Sequence, residues 1–532
     1  MSSVDLPPDG ELPAGGTAPV VPPVSSAGRE HGSLARNVLS NWLTMAFAIV
    51  ATFVATPVLV GALQRERYGI WSFLNGLLVY SDLLYLGLGA AVIKRVAACR
   101  ARGDQAGLNR VSSVVVSIYV GLGLICFVTL ATLSVFLPYL FARPLSADVI
   151  TSARYACILL GGQLLFSFAG SGFMGNLLGF DRFDVVNAIR MASIVGRTTA
   201  ILTLVRRGDP LVTLACIAAA TAAFEVACAS LLAWRVNPRL RVRMVRPQLH
   251  ELRLLYSFGL QSFALLFATT LIGYTDTTVI GLTLGAASVA VYALPLQLVE
   301  YVRVVADGIS GVLLPRLTIM VERGDGAAVQ AAYARSARSV MFLTAFVAAH
   351  MIAMGPSFLT LWVGAEFGNQ SQWVIVCLSG AMLFHVFAVV VPAGFYQAMG
   401  LLRLPALVLL AEAVANLALS VFLAPRMGIV GVAIGTLIPA AVVSCFVLPP
   451  YLWRRLRLSL VSGWSGLVPA VVVFVGTLCL QWLLQTAVGD SSYVRLAARV
   501  VLTLPPSGLI FVLLFPQDDR RWFYAHARSV RL

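Results

Sequence analysis

Fourteen blocks of mainly apolar residues, each about 20 residues long and parted by short polar breaks, constrain this chain more than anything else in it. They run from 38 to 60, 68 to 92, 111 to 137, 153 to 178, 184 to 205, 211 to 234, 254 to 282, 287 to 313, 338 to 363, 372 to 397, 404 to 424, 428 to 452, 465 to 486 and 496 to 515. In lipid a backbone must satisfy its own hydrogen bonds, and a helix of this length does so while crossing the bilayer. The chain is therefore expected to be an all-α polytopic membrane protein of about 14 transmembrane helices. Its composition agrees: 59% of the residues are hydrophobic and 11% charged, with a mean hydropathy of +0.88. The fourth and fifth blocks are the least sharply parted, separated only by Gly179, Phe180, Asp181, Arg182 and Phe183.

Orientation follows from one segment near the middle of the chain, Trp234 to Arg253, WRVNPRLRVRMVRPQLHELR. It carries Arg235, Arg239, Arg241, Arg243, Arg246 and Arg253, so it cannot enter a lipid core. Short Lys- and Arg-rich loops stay on the cytoplasmic side, which predicts cytoplasmic ends for both termini and an even number of spans. The net charge of +15 then reads as this bias repeated over many loops, with no nucleic-acid partner implied. The eight cysteines are scattered singly, without CxxC or Cys/His spacing, so neither a metal site nor a disulfide framework is indicated. Residues 1 to 30 are rich in Pro, Gly and Ser and lack the basic and apolar regions of a signal peptide; a disordered cytoplasmic tail over 1–36 is expected.

The two sides of the basic segment follow one plan. Sliding the chain by 221 residues lays Tyr80 on Tyr301, Gly87 on Gly308, Arg95 on Arg316 and Arg102-Gly103-Asp104 on Arg323-Gly324-Asp325 without a gap. Trp234-Arg235 and Trp453-Arg454 close the sixth span of each half. This predicts a six-helix lobe over 37–234, a basic inter-lobe loop over 235–253, and a second six-helix lobe over 254–453. Residues 454–532 would add two extra spans and a tail. Two pseudo-symmetric lobes of like orientation place a substrate path in a central cavity between them.

Ionisable residues at bilayer depth are costly and usually face a bundle interior or water, so each is a candidate. Gln297, Glu300, Arg303 and Asp307 share one helical stripe of span eight. Either the stripe lines the cavity, or Arg303 is stapled within its helix by Glu300 and Asp307. Asp82 falls opposite Arg303 in the repeat, which raises the expectation of an acid facing a base across the cavity. Asp276, in the polar run Tyr274-Thr275-Asp276-Thr277-Thr278, is suited to hold a coupling cation or proton, or to cap structure. Arg197 is a deep guanidinium able to grip phosphate, unless it pairs with Glu225. Arg197, Arg303 and Gln297 are thus the candidate substrate-binding side chains; Asp82, Asp276, Glu300 and Asp307 are the candidate coupling or cavity carboxylates. Glu412 and Asn416 share a face of span eleven and read as packing groups, and His350 and His385 as satisfied interior histidines. No Walker loop or nucleophile elbow occurs, so no catalytic residue, enzyme activity or cofactor is expected.

Several stretches resemble polysaccharide biosynthesis flippases of the Wzx type. Gly281 to Asp325 resembles the first-to-second span junction of that family's C-terminal lobe, with Asp276 followed by Ile280-Gly281, then Gly285, Tyr292 and Leu314-Pro315-Arg316-Leu317 matching its pattern. Asn416 to Thr436, NLALSVFLAPRMGIVGVAIGT, resembles its strongest stretch, and Tyr68-Gly69-Ile70-Trp71 and Leu86-Gly87-Leu88-Gly89 fit in the first lobe. The resemblance covers about residues 36 to 453. It implies membership of the multidrug/oligosaccharidyl-lipid/polysaccharide exporter superfamily. The implied activity is transfer of an undecaprenyl-pyrophosphate-linked oligosaccharide across the bacterial inner membrane by alternating access, without ATP. Coupling to a proton or sodium gradient and a partner polymerase or export complex would accompany it. A cation-coupled multidrug exporter is the nearest alternative, because the stripe in span eight is net acidic; a membrane glycan-processing enzyme is a more distant one.

Overall fold

The computed structural model describes residues 27–85, 88–249, 251, 260–311, 313–517 and 520. Residues 1–26 of the expected tail, His250, Arg253 and the last twelve residues lie outside them. Among the described residues all regular structure is helical. The helices are α1 (Ala27–Val79), α2 (Leu88–Ala101), α3 (Gln105–Leu140), α4 (Ala147–Gly179), α5 (Phe183–Leu204), α6 (Pro210–Val236), α7 (Leu260–Leu284), α8 (Ala286–Gly311) and α9 (Leu314–Glu322). They continue as α10 (Gly326–Val363), α11 (Ala365–His385), α12 (Ala393–Ala398), α13 (Arg403–Val442), α14 (Leu448–Arg455), α15 (Leu460–Ser465), α16 (Val468–Val488) and α17 (Tyr493–Leu514). Helix thus already begins at Ala27, inside the stretch expected to be a tail.

Twelve helical stretches are long and apolar enough to cross a bilayer. Two of them, Trp42–Tyr85 and Arg403–Arg455, hold 44 and 53 residues, about twice what one crossing needs. Both break at a residue with positive φ, Gln64 (φ 58°) and Gly428 (φ 62°). In α13 the two arms run antiparallel, because a Cβ on Gly431 would strike Leu423 and one on Gly435 would strike Ser420. Counting each broken stretch as two gives the fourteen crossings expected from hydropathy. The turn between the fourth and fifth crossings is as short as the sequence suggested, Phe180 to Arg182 between α4 and α5.

The repeated triplets build the same turn twice. Gly103 and Gly324 adopt φ of 67° and 69°. Asp104 then accepts from Gly107 N at 2.8 Å, and Asp325 from Ala328 N at 2.9 Å, so each caps the helix that follows. Glycine is needed here because the left-handed region is open to it at little cost. Small residues let helices meet closely: a Cβ on Gly123 would lie 2.9 Å from Leu165 and one on Gly172 2.8 Å from Val116, tying α3 to α4. The last two crossings, α16 and α17, pack on α10: His350 meets Thr503 at 2.9 Å, Phe342 stacks edge-on against Phe511 and Phe515, and Tyr493 donates to Leu361 O.

The two halves of the chain touch on the face opposite the basic segment. There Arg65 donates to Ala287 O, Glu366 and Gln370, and Gly69 lies against the Ala286 carbonyl. Deeper, Gln297 donates to Thr56 at 3.3 Å, and Phe53 stacks on Trp362 with 4.8 Å between ring centroids.

Candidate functional site

A cavity of about 480 Å³ lies between the halves. One wall is a stripe of the second crossing, Tyr68, Trp71, Ser72, Asn75, Val79 and Asp82; the facing wall is Ala293, Leu296, Gln297 and Glu300 of α8. Helical periodicity explains both, since steps of three and four keep a residue set on one face. The shift of 221 residues carries Ser72 onto Ala293, Asn75 onto Leu296 and Val79 onto Glu300, so the repeat register matches the two walls. Gln163 and Ser167 of α4 and Tyr274 and Thr277 of α7 complete the lining.

The lining is polar and aromatic. Gln297 donates to Tyr301 Oη at 2.7 Å, Tyr85 shares a hydrogen bond of 3.1 Å with Ser171, and the Tyr85 ring stacks on Phe168 at 4.6 Å. Gln163 Oε1 is buried and has no hydrogen-bond partner among the described residues. Among the described residues, two carboxylates, Asp82 and Glu300, and no Lys or Arg side chain line this space.

A smaller chamber of about 90 Å³ adjoins it through Tyr274, Leu296 and Glu300. It reaches into the C-terminal half and is lined by Asp276, Arg303, His385, Glu412 and Thr436. Arg303 is held by its own helix, 2.6 Å from Glu300 and 2.9 Å from Asp307. The two readings of the stripe therefore both hold, since Gln297 and Glu300 face the cavity while Arg303 is stapled.

The expected meeting of Asp82 with Arg303 does not form among the described residues. Arg303 is instead drawn to Glu300 and Asp307 of its own helix and lines the adjoining chamber. Asp82 stays on the cavity stripe of the second crossing as an exposed carboxylate.

Asp276 is 2% exposed and sits in a hydroxyl cluster. Tyr292 Oη donates to its Oδ2 at 2.5 Å and Thr436 Oγ1 at 2.6 Å. Thr436 also lies 3.4 Å from Asn416 Oδ1, which accepts from Ser420 at 3.0 Å, and Ser420 is 3.4 Å from Val432 O. Asp276 Oδ1 is buried without a hydrogen-bond partner among the described residues. Asn416, read from the sequence as a packing group, belongs to this cluster. The signal was present: Glu412, Asn416 and Ser420 repeat at intervals of four, and the antiparallel arms of α13 bring Thr436 beside them.

Arg197 is the sequence candidate that the fold sets apart. It lies in a groove between α5 and α6, with Ala192, Gly196, Thr213, Cys216 and Phe224, sharing no residue with the central cavity. It forms no ion pair with Glu225, whose carboxylate instead accepts a short hydrogen bond from Ser193. Its helix presents that face away from the cavity, which the sequence alone could not reveal. His350 is satisfied as expected, between Phe346 O and Thr503. The cavity residues missed in the sequence, Asn75, Gln163, Ser167 and Tyr274, are uncharged and stand out only once their helices face one another.

A family model described as "Polysaccharide biosynthesis protein" matches residues 34–321. The chain is 21% identical over 512 residues to an uncharacterized membrane protein, EpsK, of Bacillus subtilis (strain 168), covering 93% of this chain and 98% of that protein. Among solved structures, the lipid II flippase MurJ in an inward closed conformation superposes with a TM-score of 0.65 at 11% identity, over 90% of this chain and 98% of that one. An inward-facing multidrug resistance MATE family transporter of the MOP superfamily superposes at 0.64 with 15% identity, over 76% and 94%. The helical architecture is shared with both.

Proposed function

Because the chain belongs to the polysaccharide biosynthesis protein family, we propose that it is a flippase for undecaprenyl-pyrophosphate-linked oligosaccharide. It would act in the bacterial inner membrane with the basic segment and both termini on the cytoplasmic side. The observation that carries this reading is the lining of the central cavity. Trp71, Tyr68, Tyr85 and Tyr274 offer apolar ring surfaces, and Asn75, Gln163, Ser167 and Gln297 offer amide and hydroxyl groups. That mixture suits the alternating C–H and hydroxyl faces of sugars, and the unpaired Gln163 Oε1 is an acceptor ready for a hydroxyl donor. The lipid tail would remain in the bilayer while the saccharide crosses through the cavity.

Arg303 is the guanidinium available to the pyrophosphate. Its side chain is about one-third exposed and shared between Glu300 and Asp307, so a phosphate entering the chamber would compete with carboxylates already in place. Asp276, Thr436, Asn416 and the Val432 carbonyl gather oxygens around one unpaired carboxylate oxygen, a donor set suited to a sodium ion or a proton. Cation binding there would couple the halves to an ion gradient.

One observation favours a second reading. Among the described residues the central cavity carries Asp82 and Glu300 without a base, which would suit a cationic drug. The test is leaflet exchange in proteoliposomes holding the lipid-pyrophosphate oligosaccharide, followed by access of an external glycosidase, with Arg303→Ala beside the wild type. Protein-dependent exchange that slows in the variant supports the flippase. Absence of exchange, together with export of a cationic dye, would replace it with the drug exporter.

A further inference from the structure

The basic segment is not a loose loop. After a turn at Pro238 and Arg239, the chain runs extended through residues 241 to 245 along the first half of α3 and is zipped to it by side chains spaced four apart. Asn109 accepts from Arg241 N at 3.0 Å and donates to Arg239 O at 3.3 Å. Ser113 accepts from Arg243 N at 3.1 Å, and Ser117 from Val245 N at 2.9 Å. The match is geometric, because two residues of extended chain advance about 6.6 Å and four residues of helix about 6 Å. Gln105 adds a bond to Arg239 O, and Arg110, beside Asn109, holds both oxygens of Glu251.

An extended chain sends alternate side chains to opposite sides. Leu240 and Val242 accordingly turn inward and join the core formed with α2, α3 and α4. Arg239, Arg241 and Arg243 turn outward with Arg246 beyond them, and all four are exposed. Their guanidinium groups make no ion pair or hydrogen bond among the described residues, although acidic side chains pair with neighbouring arginines on the same face of the protein.

Their depth is set by α3 itself. The large apolar side chains that α3 exposes begin at Leu124 and continue through Ile125, Val128, Val135 and Phe136 to Tyr139. The zipper ends at Ser117, two turns earlier, and Trp234 of α6 stands half-exposed beside its start. Tryptophan at that height marks a membrane–water boundary. The arginine ladder therefore runs at the headgroup level of one leaflet.

We propose that Arg239, Arg241, Arg243 and Arg246 form a docking site for the phosphodiester headgroups of anionic phospholipids in the leaflet on the basic side. The zipper fixes the backbone through its own N–H and C=O groups and leaves the arginine side chains free, so the charges are held in a row without being neutralised. Juxtamembrane arginines each contribute roughly fivefold to the affinity for an anionic surface. The assignment is independent of what the central cavity carries.

The test uses the full-length protein in detergent micelles and fluorescent phosphatidylglycerol, with phosphatidylcholine and sugar-free undecaprenyl pyrophosphate as competitors. Replacing all four arginines by Gln is expected to weaken phosphatidylglycerol binding by at least about tenfold and to remove its salt dependence. Replacement by Lys retains most of the binding, and R102Q/R323Q, which removes two exposed arginines outside the ladder, leaves it unchanged. The pairs R239Q/R241Q and R243Q/R246Q each produce an intermediate loss, which keeps the result readable should the fourfold variant fail to fold. Phosphatidylglycerol binding within twofold of wild type in both pairs overturns the proposal. So does loss of undecaprenyl pyrophosphate binding with phosphatidylglycerol binding intact, which would hand the ladder to the transported lipid.

Discussion

Gly69→Ala is expected to shift the protein from closed to open on the face opposite the basic segment. A Cβ at residue 69 would lie 1.8 Å from the Ala286 carbonyl oxygen and 2.6 Å from its carbon. Both atoms are backbone at the start of α8, so no rotamer change relieves the clash, and the two halves must part there. Overpacking of this kind costs about 1–3 kcal/mol. The penalty applies only to the state in which the halves touch, so the equilibrium moves by about 5- to 150-fold toward separation. Gly76→Ala supplies a graded comparison, because its Cβ would meet Thr277 Oγ1 at 2.8 Å, a hydroxyl able to rotate away. Gly61→Ala meets nothing within 4 Å and serves as the control. The assay is labelling of a single cysteine at Asn75 in a cysteine-free background by a membrane-impermeant maleimide added on the face where Arg65 and Gly69 lie. Faster labelling in the order Gly69→Ala, Gly76→Ala, wild type is the expected result. Equal rates in Gly69→Ala and wild type, with both proteins folded, would refute the reasoning that this contact closes the cavity.

Gly103→Ala and Gly324→Ala should each destabilise by about 1 kcal/mol, and by nearly equal amounts, because both turns are left-handed and neither Cβ meets a neighbour. Unequal thermal shifts would show that the repeated triplets are not energetically equivalent. Gln481→Leu should lower the melting temperature more than Gln481→Leu with Arg499→Leu. The buried Arg499 guanidinium donates to Gln481 Oε1 at 2.9 Å and to Gln481 O at 3.0 Å, and removing its side-chain partner alone strands a charge. A double-mutant cycle checks this, and strict additivity would contradict it. Asp276→Asn should abolish any rise in melting temperature when sodium replaces choline in the buffer. A sodium-dependent rise that survives in the variant would place the cation elsewhere.

By itself the sequence determined the class of the fold and the number of crossings. Both follow from a one-dimensional rule: a bilayer admits only segments that are long, apolar and internally hydrogen-bonded, and each such block is visible along the chain. The repeated turns at Asp104 and Asp325 were legible for a similar reason, since a capped left-handed turn is a local device fixed by three adjacent residues. The stripe of α8 was legible too, because helical periodicity puts Gln297 and Glu300 on one face.

What only the tertiary structure decided were the relations between helices. Arg197 and Arg303 look alike in sequence, yet one lies in a groove between α5 and α6 and the other is held by Glu300 and Asp307 beside the central cavity. Asp82 and Arg303, paired by the repeat, do not meet among the described residues, because Arg303 is held by its own helix in the adjoining chamber while Asp82 lines the central cavity. Asn416 and Ser420 meet Thr436 and Asp276 because a glycine turn folds α13 back on itself, and Asn109, Ser113 and Ser117 meet Arg239 to Val245 because an extended segment and a helix share a common repeat length. Which face of a helix meets which neighbour depends on packing summed over distant segments, and no local pattern of residues encodes that sum.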